Sequence, residues 1–177
     1  MLFERIKANL VQQGPVFVRL PLKMVPFSLK RRVIEQLLKW QFSQALVDDE
    51  LDFLSDRWLK ITITDLELSG YITLADGQLK VSDEAEADVT FSANSHDLIL
   101  IAARKEDPDT LFFQRRLFIE GDTELGLYVK NLMDAIELEL MPAPLRIGLM
   151  QLADLVESAL KTQRDYKEQG SQYVNQN

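Results

Sequence analysis

Between residues 59 and 92 apolar and polar side chains take turns in a way that few folds can accommodate. Leu59, Ile61 and Ile63 alternate with Lys60, Thr62 and Thr64. Leu66, Leu68, Ile72 and Leu74 alternate with Glu67, Ser69, Tyr71 and Thr73, and Val89 and Phe91 with Asp88, Thr90 and Ser92. Successive side chains of a strand point to opposite faces, so this period demands a sheet with one dry face and one wet face. Asp76-Gly77 has the chemistry of a tight hairpin turn, and Leu79 and Val81 carry the pattern beyond it. Leu117 and Ile119, alternating with Arg116, Phe118 and Glu120, add a later strand. The expectation is a five-stranded, mainly antiparallel sheet, four strands in a run and one further on.

Helical periodicity fills the rest. Ser28 is positioned to cap a helix over about 29–46, with Leu29, Val33, Leu37 and Trp40 in its stripe. Ser95 is positioned to cap a second, to about 105, and Pro108 to begin a short one carrying Leu111, Phe112 and Phe113. Asp122 or Thr123 starts a helix predicted to reach about 140, with the stripe Leu125, Tyr128, Val129, Leu132, Met133, Ile136, Leu140. Pro142 and Pro144 break the chain before a last helix to about 163, and the polar tail from Tyr166 is expected to fray. The fold class is therefore α+β: a five-stranded mainly antiparallel sheet covered on one face by helices, with an apolar cavity between the layers. Three segments follow: an arm over 1–27, a domain over 28–163 and a tail over 164–177.

The arm has its own character. Residues 2–13 predict a short amphipathic helix bearing Leu2, Phe3, Ile6 and Leu10, ended by Gly14-Pro15. The stretch 16–29 is oily, yet Pro15, Pro21 and Pro26 argue against any regular helix there. Residues 1–39 hold eight basic and two acidic side chains, a net of +6, while the remaining chain holds twelve and twenty-six, a net of −14. The acidic body speaks against nucleic acid, whose phosphates need a basic surface. The basic, oily arm suits an anionic membrane surface, with Phe3, Ile6, Leu10, Phe17, Arg19, Lys23 and Phe27 as contact residues. No stretch reaches the about 18 uncharged apolar residues of a spanning helix. Early charges at Glu4, Arg5 and Lys7 argue against a signal peptide, and Leu2 against myristoylation. A cytoplasmic protein is expected, peripheral at the inner membrane.

A catalytic set is hard to assemble from these residues. The chain has no cysteine, which removes disulfides, thiolate zinc sites, iron–sulfur clusters and cysteine nucleophiles. His96 is the single histidine and reads as an exposed residue near a helix start. Asp107, Asp109, Glu120 and Asp122 flank Pro108 and Gly121, positions where carboxylates cap helices. Glu84, Glu86 and Asp88 read as a solvated acidic approach to a strand. GDTELG (121–126) lacks the spacing and the lysine of a phosphate loop. Arg104, Lys105, Arg115 and Arg116 read as helix-end and strand-edge charges that could also meet a head group. The informative excess is apolar: Leu111, Phe112 and Phe113 in a row, Leu127, Leu138, Ile147, Met150 and Leu155 off their helix stripes. Such residues line a ligand cavity, a partner surface or a second packed face.

ADVTFSA (87–93), the helix DLILIAARKEDP (97–108) and LFFQRRLFIEGDTELGLYVKNLMDAI (111–136) together resemble the core of the sterol carrier protein domain, with Asp88, Val89, Phe91, Gly121 and Asp122 in its pattern. WQF (40–42), residues 103–139 and MQLAD (150–154) are similar to a bacterial branch of that family, accessory factors of ubiquinone biosynthesis. The resemblance implies a non-enzymatic protein of the oxygen-independent pathway, without cofactors. It would bind prenylated ubiquinone precursors and ubiquinone, and work with the iron–sulfur hydroxylases UbiU and UbiV. It also implies a lipid site between sheet and helices, for which Phe91, Leu98, Ile101, Leu111, Phe112, Leu117, Ile119, Leu132, Met133 and Ile136 are the candidates. An assembly adaptor for the hydroxylases, a generic phospholipid carrier, and an enzyme acting on a lipid ester or thioester are the competing readings.

Overall fold

The computed structural model describes the backbone of residues 23–174 and the side chains of residues 23–161. The predicted helix at 2–13 and the contact residues Phe3, Ile6, Leu10, Phe17 and Arg19 lie outside them. The alternating segments form one sheet from β1 (Leu59–Ile63), β2 (Leu68–Ala75), β3 (Gln78–Ser82), β4 (Val89–Ala93) and β5 (Leu117–Gly121), in the order β3-β2-β1-β4-β5. Three pairings are antiparallel, and the central β1–β4 pair is parallel. The register aligns the apolar positions across the sheet: Leu59 faces Ile72 and Val89, and Ile61 faces Gly70 and Phe91. One face is thus aliphatic and aromatic, the other carries Lys60, Thr62, Tyr71, Lys80, Thr90 and Ser92. The α+β, mainly antiparallel expectation stands.

Two turns fix this register. Asp76 and Gly77 both take positive φ (54° and 66°), the pair of left-handed residues a two-residue hairpin of this hand requires. Gly121 has φ 107°, and a Cβ there would come 2.3 Å from the Asp88 carbonyl oxygen, which accepts from Asp122 N–H at 2.9 Å. Only glycine lets the end of β5 lie this close to the start of β4. Leu66 departs from expectation: it sits in a 3₁₀ turn, Thr64–Leu66, and β2 begins after it. Asp65 pins that turn by accepting from Ser95 N–H (2.8 Å) and Ser95 Oγ (2.6 Å).

The helices are α1 (Phe27–Gln41), α2 (Ser43–Val47), α3 (Ser95–Ala102), α4 (Pro108–Phe113), α5 (Thr123–Asp134) and α6 (Ala143–Val174). Asp107 and Asp122 cap α4 and α5 as read from the sequence, accepting from Asp109, Thr110 and Leu125 N–H. Several boundaries differ. Ser28 lies inside α1, whose N-cap is Pro26, and the helix breaks at Phe42 rather than running to 46. Lys23 and Met24 are helical despite the prolines around them. Ser95 is the first residue of α3, not its cap, and the helix ends at Ala102, before a left-handed Arg104 (φ 54°). The guanidinium of Arg104 donates to the carbonyls of Asp134 and Ile136, the latter at 2.9 Å, so α5 stops at Asp134 instead of near 140. The last helix continues through the polar tail to Val174.

The dry face is closed by Leu51, Leu54, Ile101, Leu111, Leu125 and Val129 packing on Leu59, Val89, Phe91 and Leu117. A second cluster, Leu100 and Ala103 against Ala153 and Val156, fastens α6 to α3. Among the described residues Asp97 is the buried charged side chain. It is 1% exposed and accepts from Arg116 Nε at 2.9 Å, so Arg116 is a part-buried ion-pair partner rather than a solvated strand-edge charge. His96 is half-buried, not exposed, with Nε2 3.5 Å from Asp97 Oδ1. Thr73 is buried at a polar position because its hydroxyl donates to the Leu54 carbonyl (3.1 Å).

Candidate functional site

On α1, Phe27, Lys30, Ile34, Leu37, Leu38 and Gln41 recur at spacings of three and four and so share one helical face. That face lies toward the dry side of the sheet without filling the space beneath it. Two side-chain bonds hold the helix there. Glu35 Oε1 accepts from Val81 N–H of the edge strand β3 (3.0 Å), and Gln41 Nε2 donates to the Glu137 carbonyl (3.1 Å). Edge strands need such covering, because their outward N–H groups otherwise invite another strand.

Two apolar hollows flank Ile34 under this helix. The first, about 220 Å³, is lined by Phe27, Lys30 and Ile34 above and by Ile61, Ile63, Leu68, Ser69, Gly70, Ile72 and Val81 of the sheet. Gly70 forms part of its floor, and a Cβ there would meet nothing within 4 Å. The second, about 290 Å³, is lined by Ile34, Leu37, Leu38, Trp40, Gln41 and Phe42 together with Ala102, Ile136, Met141 and Pro142. A larger cleft of about 740 Å³ runs between α1 and the β2–β3 turn, of mixed character, with Arg32, Glu35, Lys39 and Lys80 beside Leu46, Val47 and Leu79. A polar hollow of about 280 Å³ lies beside Arg104, Lys105, Asp107 and Asp134, with Ile101 and Met133 on its wall.

The candidate residues distribute unevenly over these spaces. Phe91, Ile101, Leu111 and Leu117 are at most 3% exposed in the packed core, with Leu98, Ile119, Leu132 and Met133 against them. Phe112 faces solvent beside Phe113, and Ile136 lines the second hollow. The apolar surplus at Leu127, Leu138, Ile147, Met150 and Leu155 lines neither apolar hollow. Phe27, expected at a membrane, is in the wall of the first hollow, and Lys23 is ion-paired to Glu67 at 2.9 Å. Sequence reasoning missed the α1 underside and the β1–β2 face. A glycine in mid-strand, Gly70, was the available signal, since it removes a side chain where the alternation calls for an apolar one.

Several carboxylates and lysines are held by caps and ion pairs of the fold. Leu125 N–H, then Arg57 at 3.1 Å, hold the Asp122 carboxyl below the ordinary range. Desolvation works against ionisation of Asp107, but the Thr110 and Asp109 bonds outweigh it and the carboxyl is lowered. Burial, then the charge of Asp107, raise Asp134. Glu157 is lowered to about 2 by hydrogen bonds from Lys105 and Lys161, and Lys105 is raised by Asp154 and Glu157 at 2.6 and 2.8 Å. Among the described residues no three His, Cys, Asp or Glu side chains gather in a metal-binding group, and no helix is long and apolar enough to cross a membrane.

A sheet of this order, with helices on its dry face and apolar space left under one of them, defines a sterol-carrier-type domain. Residues 34–134 match the SCP-2 sterol transfer family, and the chain belongs to that family. The ubiquinone biosynthesis accessory factor UbiT of Escherichia coli (strain K12) is 57% identical over 167 residues, covering 94% of this chain and 96% of the relative. The UbiT of Escherichia coli O157:H7 matches to the same extent. Among solved structures, the ubiquinone synthesis protein UbiJ-SCP2 aligns with a TM-score of 0.53 at 22% identity, covering 63% of this chain and all of that one, a likeness of fold.

Proposed function

We propose that the protein is a non-catalytic accessory factor of ubiquinone biosynthesis that holds prenylated ring precursors, and ubiquinone itself, under α1. The observation that carries this reading is the pair of apolar hollows on one helix face, the first of them floored by a strand glycine with open space above it. Each buried CH₂ of an isoprenoid tail is worth about 0.8 kcal/mol, so such a tail leaves a membrane only for another dry surface. A holder of this kind would present the ring to soluble hydroxylases, UbiU and UbiV, while the tail stays covered. The likeness to UbiT supports the pathway, and the oxygen-independent branch and these two partners are part of the proposal. Loading would take place at the cytoplasmic face of an anionic inner membrane. The basic arm would start that contact, and Lys30, Arg31, Arg32 and Lys39 continue its charge along α1.

The test is to fill the floor. Gly70→Phe places a ring in the first hollow, with no neighbour within 4 Å of its Cβ to be displaced. Wild-type protein purified from cells and extracted with solvent should yield prenyl-phenols or quinones by mass spectrometry, and Gly70→Phe should yield several-fold less. Phospholipid alone would make the protein a general lipid carrier. No lipid in either sample would sink the holder reading. A second reading, an adaptor that scaffolds the hydroxylases, draws on the exposed Phe112–Phe113 pair, whose rings meet edge-on at 5.8 Å on α4. It wins if quinone synthesis survives in Gly70→Phe but fails in Phe112→Ser/Phe113→Ser.

A further inference from the structure

Ile34 lines both apolar hollows, so its side chain stands between them. Three things hold it there. A β-branched side chain keeps essentially one χ1 rotamer in a helix. The next residue, Glu35, accepts from Val81 N–H at 3.0 Å and ties that turn of α1 to the sheet. Further along, Gln41 donates to the Glu137 carbonyl at 3.1 Å and holds the end of the helix. Rolling α1 to withdraw Ile34 would break these bonds. The apolar space is thus two small rooms, about 220 and 290 Å³, on either side of one residue. Benzene fills an apolar cavity of about 150 Å³, or about 25 Å³ per carbon. On that measure an isoprene unit needs about 125 Å³, and each hollow takes about two. The fused rings and angular methyl groups of a sterol, about nineteen carbons, need about 475 Å³ in one rigid piece. Neither hollow has that room, and a sterol lodged in one would leave roughly half its rings in water. The cleft of about 740 Å³ beside β3 is large enough, but Arg32, Glu35, Lys39 and Lys80 would lose water against apolar rings there.

We propose that Ile34 is a specificity-determining residue: it divides the apolar space so that a flexible prenyl chain fits by bending past it, and a rigid fused-ring lipid does not. The inference rests on the holder reading above and adds the shape class of the ligand. A prenyl chain has rotatable single bonds between its double bonds, so it can turn around a side chain, whereas a sterol nucleus has none. Gly70 works with Ile34, because the side chain missing from the strand gives the first hollow the room that a bending chain needs. The matched family is named for sterol transfer, and this division turns the same fold toward linear chains. Ile34→Ala removes three carbons of the divider and joins the hollows into one space of about 590 Å³, enough for the sterol rings.

The experiment mixes the full chain with sucrose-loaded phosphatidylcholine vesicles carrying equal trace amounts of geranylgeraniol and cholesterol. The vesicles are sedimented, and each lipid left in the supernatant is measured by mass spectrometry against a protein-free control. Wild-type protein should carry at least about tenfold more geranylgeraniol than cholesterol. Ile34→Ala should raise the carried cholesterol about fivefold or more and leave geranylgeraniol within about twofold. Ile34 is 38% exposed and outside the packed core, so the truncation leaves the fold in place. Ile34→Phe thickens the divider instead, and geranylgeraniol pickup should fall several-fold. Cholesterol pickup by wild type equal to or above that of geranylgeraniol overturns the inference. So does an Ile34→Ala protein that gains no cholesterol, or an Ile34→Phe protein that carries geranylgeraniol as wild type does. In those outcomes the holder reading survives wherever wild type carries geranylgeraniol, and only the role of Ile34 fails. If wild type carries neither lipid, the holder reading fails and takes this inference with it.

Discussion

One row across the sheet, Gly70–Ile61–Phe91–Ile119, contains two kinds of interior. At the β4–β5 end Phe91 is 1% exposed and wrapped by helices, a site with no room to spare. At the β1–β2 end Gly70 supplies no side chain, and α1 is held above the gap by Glu35 and Gln41. Both ends obey the same alternation and belong to the same dry face. The difference is that one half spends its apolar side chains on each other, and the other leaves them facing open space. Under the proposed function, stability and binding fall to different halves of one layer.

The comparison can be broken from the closed side first. Phe91→Ala should lower stability by about 3–5 kcal/mol in urea unfolding, because the site is fully packed and cannot collapse around the loss. Arg116→Ala comes next. It leaves the buried Asp97 with only His96 Nε2, 3.5 Å away, beside it; breaking a buried pair typically costs about 3–5 kcal/mol, and about 3 is expected here since the guanidinium is 21% exposed. By contrast Gly70→Phe, on the open side, should leave unfolding free energy unchanged or raise it by up to about 1 kcal/mol, because a strand glycine is replaced by a better strand former without a clash. If Gly70→Phe destabilises as much as Phe91→Ala, the two halves are not different in kind.

The smallest effect lies away from the sheet, where Lys105 ties α6 to the end of α3. Glu157 titrates at about 2, below its ordinary 4.5, because Lys105 and Lys161 donate to it. A carboxyl depressed by folding contributes stability that is complete above its unfolded pKa and disappears as pH falls through the folded one. The Glu157 contribution should therefore persist at pH 5 and fade toward pH 2. Carboxyl titration by NMR should read this value, and Lys105→Met should move it up toward 4.5. No movement would mean that Lys161 alone holds the group.

Much of this was legible from local pattern. Asp76-Gly77, the alternating strands and the Asp107 and Asp122 caps depend on neighbours within a few residues, and the sequence carries those neighbours with it. The candidate ligand residues were legible only as apolar. Alternation and stripe put Phe91, Leu111, Leu117 and Leu132 on the dry side, but packing decides whether a dry-side residue fills a core or lines a hollow. The same holds for the ends of helices: nothing in the run DAIELEL (134–140) stops α5, and Arg104, thirty residues earlier, takes the carbonyls that end it.

The sequence by itself determined an α+β sheet with one dry face, its hairpin and caps, a net charge divided between a basic N-terminal stretch and an acidic body, and a poor supply of catalytic groups. Those follow from periodicity, turn chemistry and composition, which act over short range. Only the tertiary structure decided that Arg116 pairs with a buried Asp97, and that α1 bridges rather than fills the β1–β2 face. Each of these depends on groups that are far apart in the chain and meet only when the layers pack.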